Sequence, residues 1–140
     1  MDADDQPLTA DDFLRMVETK RAVALATVED RLACREAWLA AGYAVEFALK
    51  ALIIRRERLN AWPSKAVRRE LYVHSLRDLL AIAGVELASI PKERRGSLRT
   101  VLDWNRAHEY TSGRISRANA RSMVKAALDE DGVVAWLRRL

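Results

Sequence analysis

Arg69-Glu70-Leu71-Tyr72-Val73-His74 sets a guanidinium group and an imidazole with four residues between them in a chain with only two histidines. A histidine titrating near neutrality can act as a general base and an arginine can stabilise charge developing on a phosphate, so the pair holds groups that metal-free phosphoryl chemistry would use, although in an arginine-rich chain such a spacing also arises by coincidence. One histidine does half of this, because the leaving oxygen also needs an acid; His108, Tyr110 or the same residue of a second copy are the candidates. His74 just before Ser75, a helix-cap residue, also has a structural use. A second set is Arg106, Arg114 and Arg117, gathered around the Tyr110-Thr111-Ser112-Gly113 break, where the bidentate guanidinium fork suits phosphate oxygens. A third is Glu46 with Lys50, the only charges in the apolar run 37–54 and one helical turn apart. Exposed, such a pair adds only about 0.2–0.5 kcal/mol to a helix. Partly buried, it must be paired and hydrogen-bonded, and it then fixes helix register or a subunit interface. A narrow polar stripe facing water is the alternative, and the sequence leaves both open.

These groups belong to 140 residues, a length that predicts one domain (1–140) with a single core and an acidic, flexible start over 1–9. Lys and Arg number 24 against 20 Asp and Glu, but the arginines crowd between Arg55 and Arg121 while the first dozen residues are acidic. An arginine excess suits phosphate or nucleic-acid partners, and it also suits an ordinary solvated surface; which holds depends on whether the arginines share a face. Cys34 is alone, so no intramolecular disulfide can form. No His, Cys or carboxylate spacing supports a metal, no glycine-rich phosphate loop or nucleophile elbow is present, and no cofactor is expected. Asp129-Glu130-Asp131 reads as solvated helix surface, and the four tryptophans as packing anchors, with Trp62 beside Pro63 the best exposed stacking candidate. The acidic start lacks a secretory pattern and two charges interrupt the apolar run, so a cytoplasmic protein with no membrane span is expected.

The helical period dominates the chain. Thr9 with Asp12 predicts a first helix cap, and the β-branched and acidic residues of 27–30 predict its end. The Gly42 helix then continues to about Arg58, followed by a loop from Trp62 to His74 with a short helical turn inside it. Ser75 and Asp78 open a short third helix that Gly84 closes; Pro91 suits the first turn of a fourth, with Leu98, Val101, Leu102 and Trp104 inward. Ser116 caps a last helix carrying Met123, Val124, Ala127, Val134 and Leu137. The expected fold is all-α: an antiparallel bundle of four main helices with a short additional one, and Trp38, Val45, Leu49 and Leu52 buried. A helix apolar almost all round, in so small a domain, further predicts a homodimer.

Residues 40–52, Ala-Ala-Gly-Tyr-Ala-Val-Glu-Phe-Ala-Leu-Lys-Ala-Leu, resemble the second helix of HEPN domains. His74-Ser75-Leu76-Arg77-Asp78-Leu79-Leu80 is similar to the family's histidine-x-leucine segment, and residues 104–110 followed by Arg114-Ile115 resemble its aromatic and arginine element. The resemblance covers roughly residues 10–140, with Glu46, Lys50, Trp104 and Tyr110 as its structural positions. It implies a helical bundle, commonly dimeric, from defence and toxin–antitoxin systems. Some members are metal-independent endoribonucleases; others are non-catalytic, accompany a small nucleotidyltransferase, or bind nucleotides or RNA. The nuclease members carry an arginine and, four to six residues on, a histidine near the start of the last long helix. Here a single residue separates Arg106 from His108, and Arg69/His74 precedes the third helix. The resemblance therefore implies a non-catalytic nucleotide-, RNA- or partner-binding subunit, with an endoribonuclease using Arg69 and His74 as the first alternative and a purely structural interaction module as the second.

Overall fold

The computed structural model describes residues 6–105 and 114–140, and every regular element among them is helical. The α-helices are α1 (Ala10–Thr27), α2 (Cys34–Arg56), α3 (Leu76–Ile82), α4 (Arg95–Leu102), α5 (Arg117–Leu128) and α6 (Val133–Arg139), with 3-10 turns at Arg69–Leu71, Leu87–Ser89 and Lys92–Arg94.

Local chemistry sets most of these boundaries. At the start of α1 the Thr9 hydroxyl accepts from the Asp12 N–H at 3.1 Å and the Asp12 carboxylate accepts from the Thr9 N–H at 2.9 Å, a reciprocal box that satisfies two orphan donors. Leu8 is held as well, its carbonyl accepting from the Trp62 N–H at 2.7 Å, so order begins before Thr9. After Thr27 the Asp30 carboxylate accepts from the N–H groups of Leu32 and Ala33, closing the turn from which α2 restarts at Cys34. Ser75 and Ser116 cap α3 and α5 through the N–H groups of Asp78 and Asn119. Gly84, at φ +76°, ends α3.

Two ends depart from pattern. The C-terminus of α2 is a Schellman turn: the Leu59 N–H donates to Ile54 and the Arg58 N–H to Arg55, while Leu59 packs on Ile54. Its left-handed residue is Arg58, at φ +55°, where glycine is usual and a Cβ costs roughly 1–2 kcal/mol. The expected last helix is two, because the chain turns at 129–132 before α6 begins. A Cβ on Gly132 would lie 2.9 Å from the carbonyl oxygens of Ala127 and Asp129, so the α5–α6 corner accepts only glycine there.

α2 is the spine. Its 18-residue apolar window is long enough to cross a bilayer, yet 78% of that window is buried inside the chain, beneath α1, α3, α5 and α6. Val45, Leu49 and Leu52 are buried and Trp38 half-buried. α1 runs antiparallel to α2, bringing Phe13 to Ala51 and Ile54 and within 6.0 Å of the Phe47 ring. α5 returns along α1, pairing Arg121 with Glu29 at one end and the Arg21 guanidinium with the Leu128 carbonyl at the other. α3 runs alongside the second half of α2 in the same direction, since His74 meets Glu46 and the Ala83 carbonyl meets Arg56.

Trp104 locks the end of α4 onto this spine. A Cβ on Gly42 would fall 1.9 Å from Trp104 Cε2, so the indole lies against bare α2 backbone. Its Nε1–H donates to the Trp38 carbonyl at 3.1 Å, and Tyr43 meets the ring edge-on at 5.6 Å.

Candidate functional site

Glu46 is the one charged side chain buried among the described residues, at 1% exposure. Its Oε2 faces Lys50 Nζ at 3.5 Å, one turn along α2, and its Oε1 lies 3.9 Å from His74 Nδ1 without a hydrogen-bond partner. Lys50 Nζ stands 5.4 Å over the Trp62 ring and 6.0 Å over Phe13, and its side chain is only 15% exposed. The loop after α2 delivers Trp62 to this place, pinned there by the Trp62–Leu8 backbone bond, and the segment before Ser75 delivers His74. The pair is therefore a buried node closed by aromatic rings; the alternative of a water-facing stripe is set aside.

His74 exposes 60% of its side chain while the buried carboxylate stands behind Nδ1. A carboxylate hydrogen-bonded to Nδ1 would orient the imidazole as a general base; at 3.9 Å the two groups are near one another without that bond. Arg69 is exposed on the 3-10 turn Arg69–Leu71, five positions earlier in the chain. Tyr72, between them, donates its hydroxyl to the Pro63 carbonyl at 2.7 Å.

The arginines expected to hold phosphate fare differently. Arg106, together with His108 and Tyr110, lies outside the described residues. Arg114 is exposed ahead of the Ser116 cap. Arg117 turns to the protein itself, its Nη1 donating to the Glu29 carbonyl at 3.5 Å. Arg121, one turn on, grips the Glu29 carboxylate through Nε at 2.9 and 3.1 Å and through Nη2. These hydrogen bonds, with the nearby guanidinium charges of Arg121 and Arg117, hold the Glu29 carboxyl below the ordinary carboxylate range. The opening of α5 is clasped to the end of α1.

Other arginines were not legible from sequence, because their acceptors lie far along the chain. Arg21 donates to the Leu128 carbonyl at 2.7 Å, Arg56 to Ala83 at 2.9 Å, and Arg94 to Asp131 and Gly132 at 2.9 and 3.1 Å. Arg21 and Arg56 fill carbonyls at a helix C-terminus, which have no partner within the helix, while Arg94 reaches the α5–α6 corner, where the Gly132 carbonyl also accepts from the Trp136 N–H. Among the described residues no group of three or more His, Cys, Asp or Glu side chains is placed to hold a metal.

Comparison with family models, curated proteins and solved structures gives no match to the chain.

The buried node carries a direct expectation. Lys50→Met strands a buried carboxylate and lowers stability by about 3 kcal/mol in urea denaturation at neutral pH, whereas Lys50→Met with Glu46→Leu recovers most of the loss. A cost below about 0.5 kcal/mol for the single substitution is the behaviour of a surface pair and contradicts this placement.

Proposed function

We propose that this chain is a HEPN-type bundle acting as a non-catalytic binding subunit in the cytoplasm. Its first partner is a second copy of itself, and a small nucleotidyltransferase-type protein, a nucleotide or RNA are its further ligands. In that arrangement α1, α2, α4 and the α5–α6 pair take the four antiparallel main positions, and α3 is the short addition.

The observation that carries the reading is the α1–α2 corner. α2, whose composition called for a partner, is covered by its own chain, and the unmet apolar surface lies instead at Leu25, 61% exposed, and Leu32, 98% exposed. Val23, Ala22 and Ala26 are exposed with them, and residues 22–28 include no charged side chain. Burying one leucine from full exposure is worth about 1.5–3 kcal/mol, so leaving two open favours a covering surface. A second copy supplies one without new chemistry: Leu25 beside Ala22 and Ala26 offers a knob and a shallow hole on the same helix face, as a two-fold interface needs. Sedimentation at micromolar concentration is expected to give a dimer, and Leu25→Glu with Leu32→Glu a monomer of unchanged helix content. A wild type that stays monomeric at tens of micromolar removes this reading.

A second reading, metal-independent endoribonuclease, is favoured by one contact, the approach of buried Glu46 to His74 Nδ1 at 3.9 Å. His74 would be the base and Arg69 the phosphate stabiliser. Under the binding reading, purified wild type leaves RNA intact in the presence of a chelator. Cleavage that His74→Ala abolishes, with the circular dichroism unchanged, puts the nuclease in its place.

A further inference from the structure

Residues 55–70 contain six Lys and Arg against two Glu, so these sixteen residues carry a charge of +4, the whole net charge of the chain, and the rest is balanced. The structure folds this segment into one pole. Arg55, Arg56 and Arg58 end α2, and Arg68 is tied back to that end by two hydrogen bonds to the Glu57 carboxylate at 3.2 and 3.3 Å. Lys65 rides the turn in which the Val67 and Arg68 N–H groups both donate to the Ser64 carbonyl, and Arg69 begins the 3-10 turn next in line.

Both acids of the segment are already taken, because Arg68 binds Glu70 as well as Glu57. Arg56 is also engaged, capping Ala83. That leaves Arg55, Arg58, Lys65 and Arg69, all exposed and with side chains that make no hydrogen bond or ion pair among the described residues. Arg58 occupies the left-handed position of the Schellman turn, where its Cβ is a burden on the fold and glycine would serve better. Tyr72, 41% exposed, adds an aromatic ring three residues after Arg69.

We propose that this pole, at the C-terminus of α2 and the turn 64–70, binds the phosphodiester backbone of a single-stranded nucleic acid, with Arg55, Arg58, Lys65 and Arg69 on phosphates and Tyr72 against a base. Four uncompensated cations beside one exposed ring match what a single strand presents, alternating phosphates and stackable bases. The site stands apart from the α1–α2 corner, so it holds or falls independently of self-association.

The test is fluorescence anisotropy with a labelled single-stranded RNA and its DNA equivalent, using the full chain. Four phosphate contacts predict that affinity falls about fiftyfold between about 50 and 200 mM salt. Arg58→Gly is the decisive variant, because glycine accepts the left-handed turn without strain. The melting temperature should rise while affinity drops about eightfold at about 50 mM salt, a loss that unfolding does not explain. Arg55→Gln with Lys65→Gln and Arg69→Gln should flatten most of the salt dependence. Arg95→Gln with Arg99→Gln, equally exposed on α4, should stay within about twofold of wild type. Binding of RNA, DNA or both in this pattern supports the proposal. Absence of binding at low salt, equal losses in the α4 control, unchanged affinity in Arg58→Gly, preference for a duplex, or binding confined to anionic vesicles each overturns it.

Discussion

The indole of Trp104 rests on the backbone of α2 at the one residue of that helix without a side chain. A methyl group at Gly42 would overlap the ring, and the ring's Nε1–H is spent on the Trp38 carbonyl one turn earlier. Much of the core arrangement follows from this contact. It fixes where α4 ends against α2, and the half-buried Trp38 and Tyr43 pack round the ring at 5.8 and 5.6 Å. With α4 held there, Leu98 and Val101 enter the same core as Met123 and Leu137 of the last two helices. A glycine inside a helix costs about 1 kcal/mol in propensity, and this close approach is what offsets it.

Below that contact, the same spine carries Glu46 and Lys50, and the loop that closes over them leads directly into the basic pole. The fold thus divides its charges by task. Arg21, Arg56 and Arg94 face inward to helix-end carbonyls, and Arg117 and Arg121 clasp Glu29, so each takes part in holding helices together. What remains unengaged is local: an apolar corner at Leu25 and Leu32, and an uncompensated set of cations between Arg55 and Arg69. The proposed role as a binding subunit would need such surfaces on a rigid frame, and the covered α2 is the frame the fold offers.

Features decided by near neighbours were legible in the sequence. The caps at Thr9, Ser75 and Ser116, the stop after Thr27 and the glycine at 84 all depend on side chains within a few residues of the bonds they make. Features decided across the fold were not. The α5–α6 corner was hidden because Val133, Val134 and Leu137 continue the apolar pattern past Gly132, and only the carbonyls packed around that glycine reveal the turn. The partners of Arg21, Arg56 and Arg117 lie 107, 27 and 88 residues away, beyond any local signal. The Glu46–Lys50 pair shows the boundary between the two cases. Its spacing was visible, while its burial depended on a loop bringing Trp62 back over the helix.

The claim that Trp104 and bare α2 backbone form one interlocked unit is tested most directly by a double-mutant cycle on stability. The account predicts that Gly42→Ala costs about 3 kcal/mol in the wild-type background, through overpacking against the indole, and less than about 1 kcal/mol once Trp104 is replaced by leucine. Equal costs in the two backgrounds would contradict it.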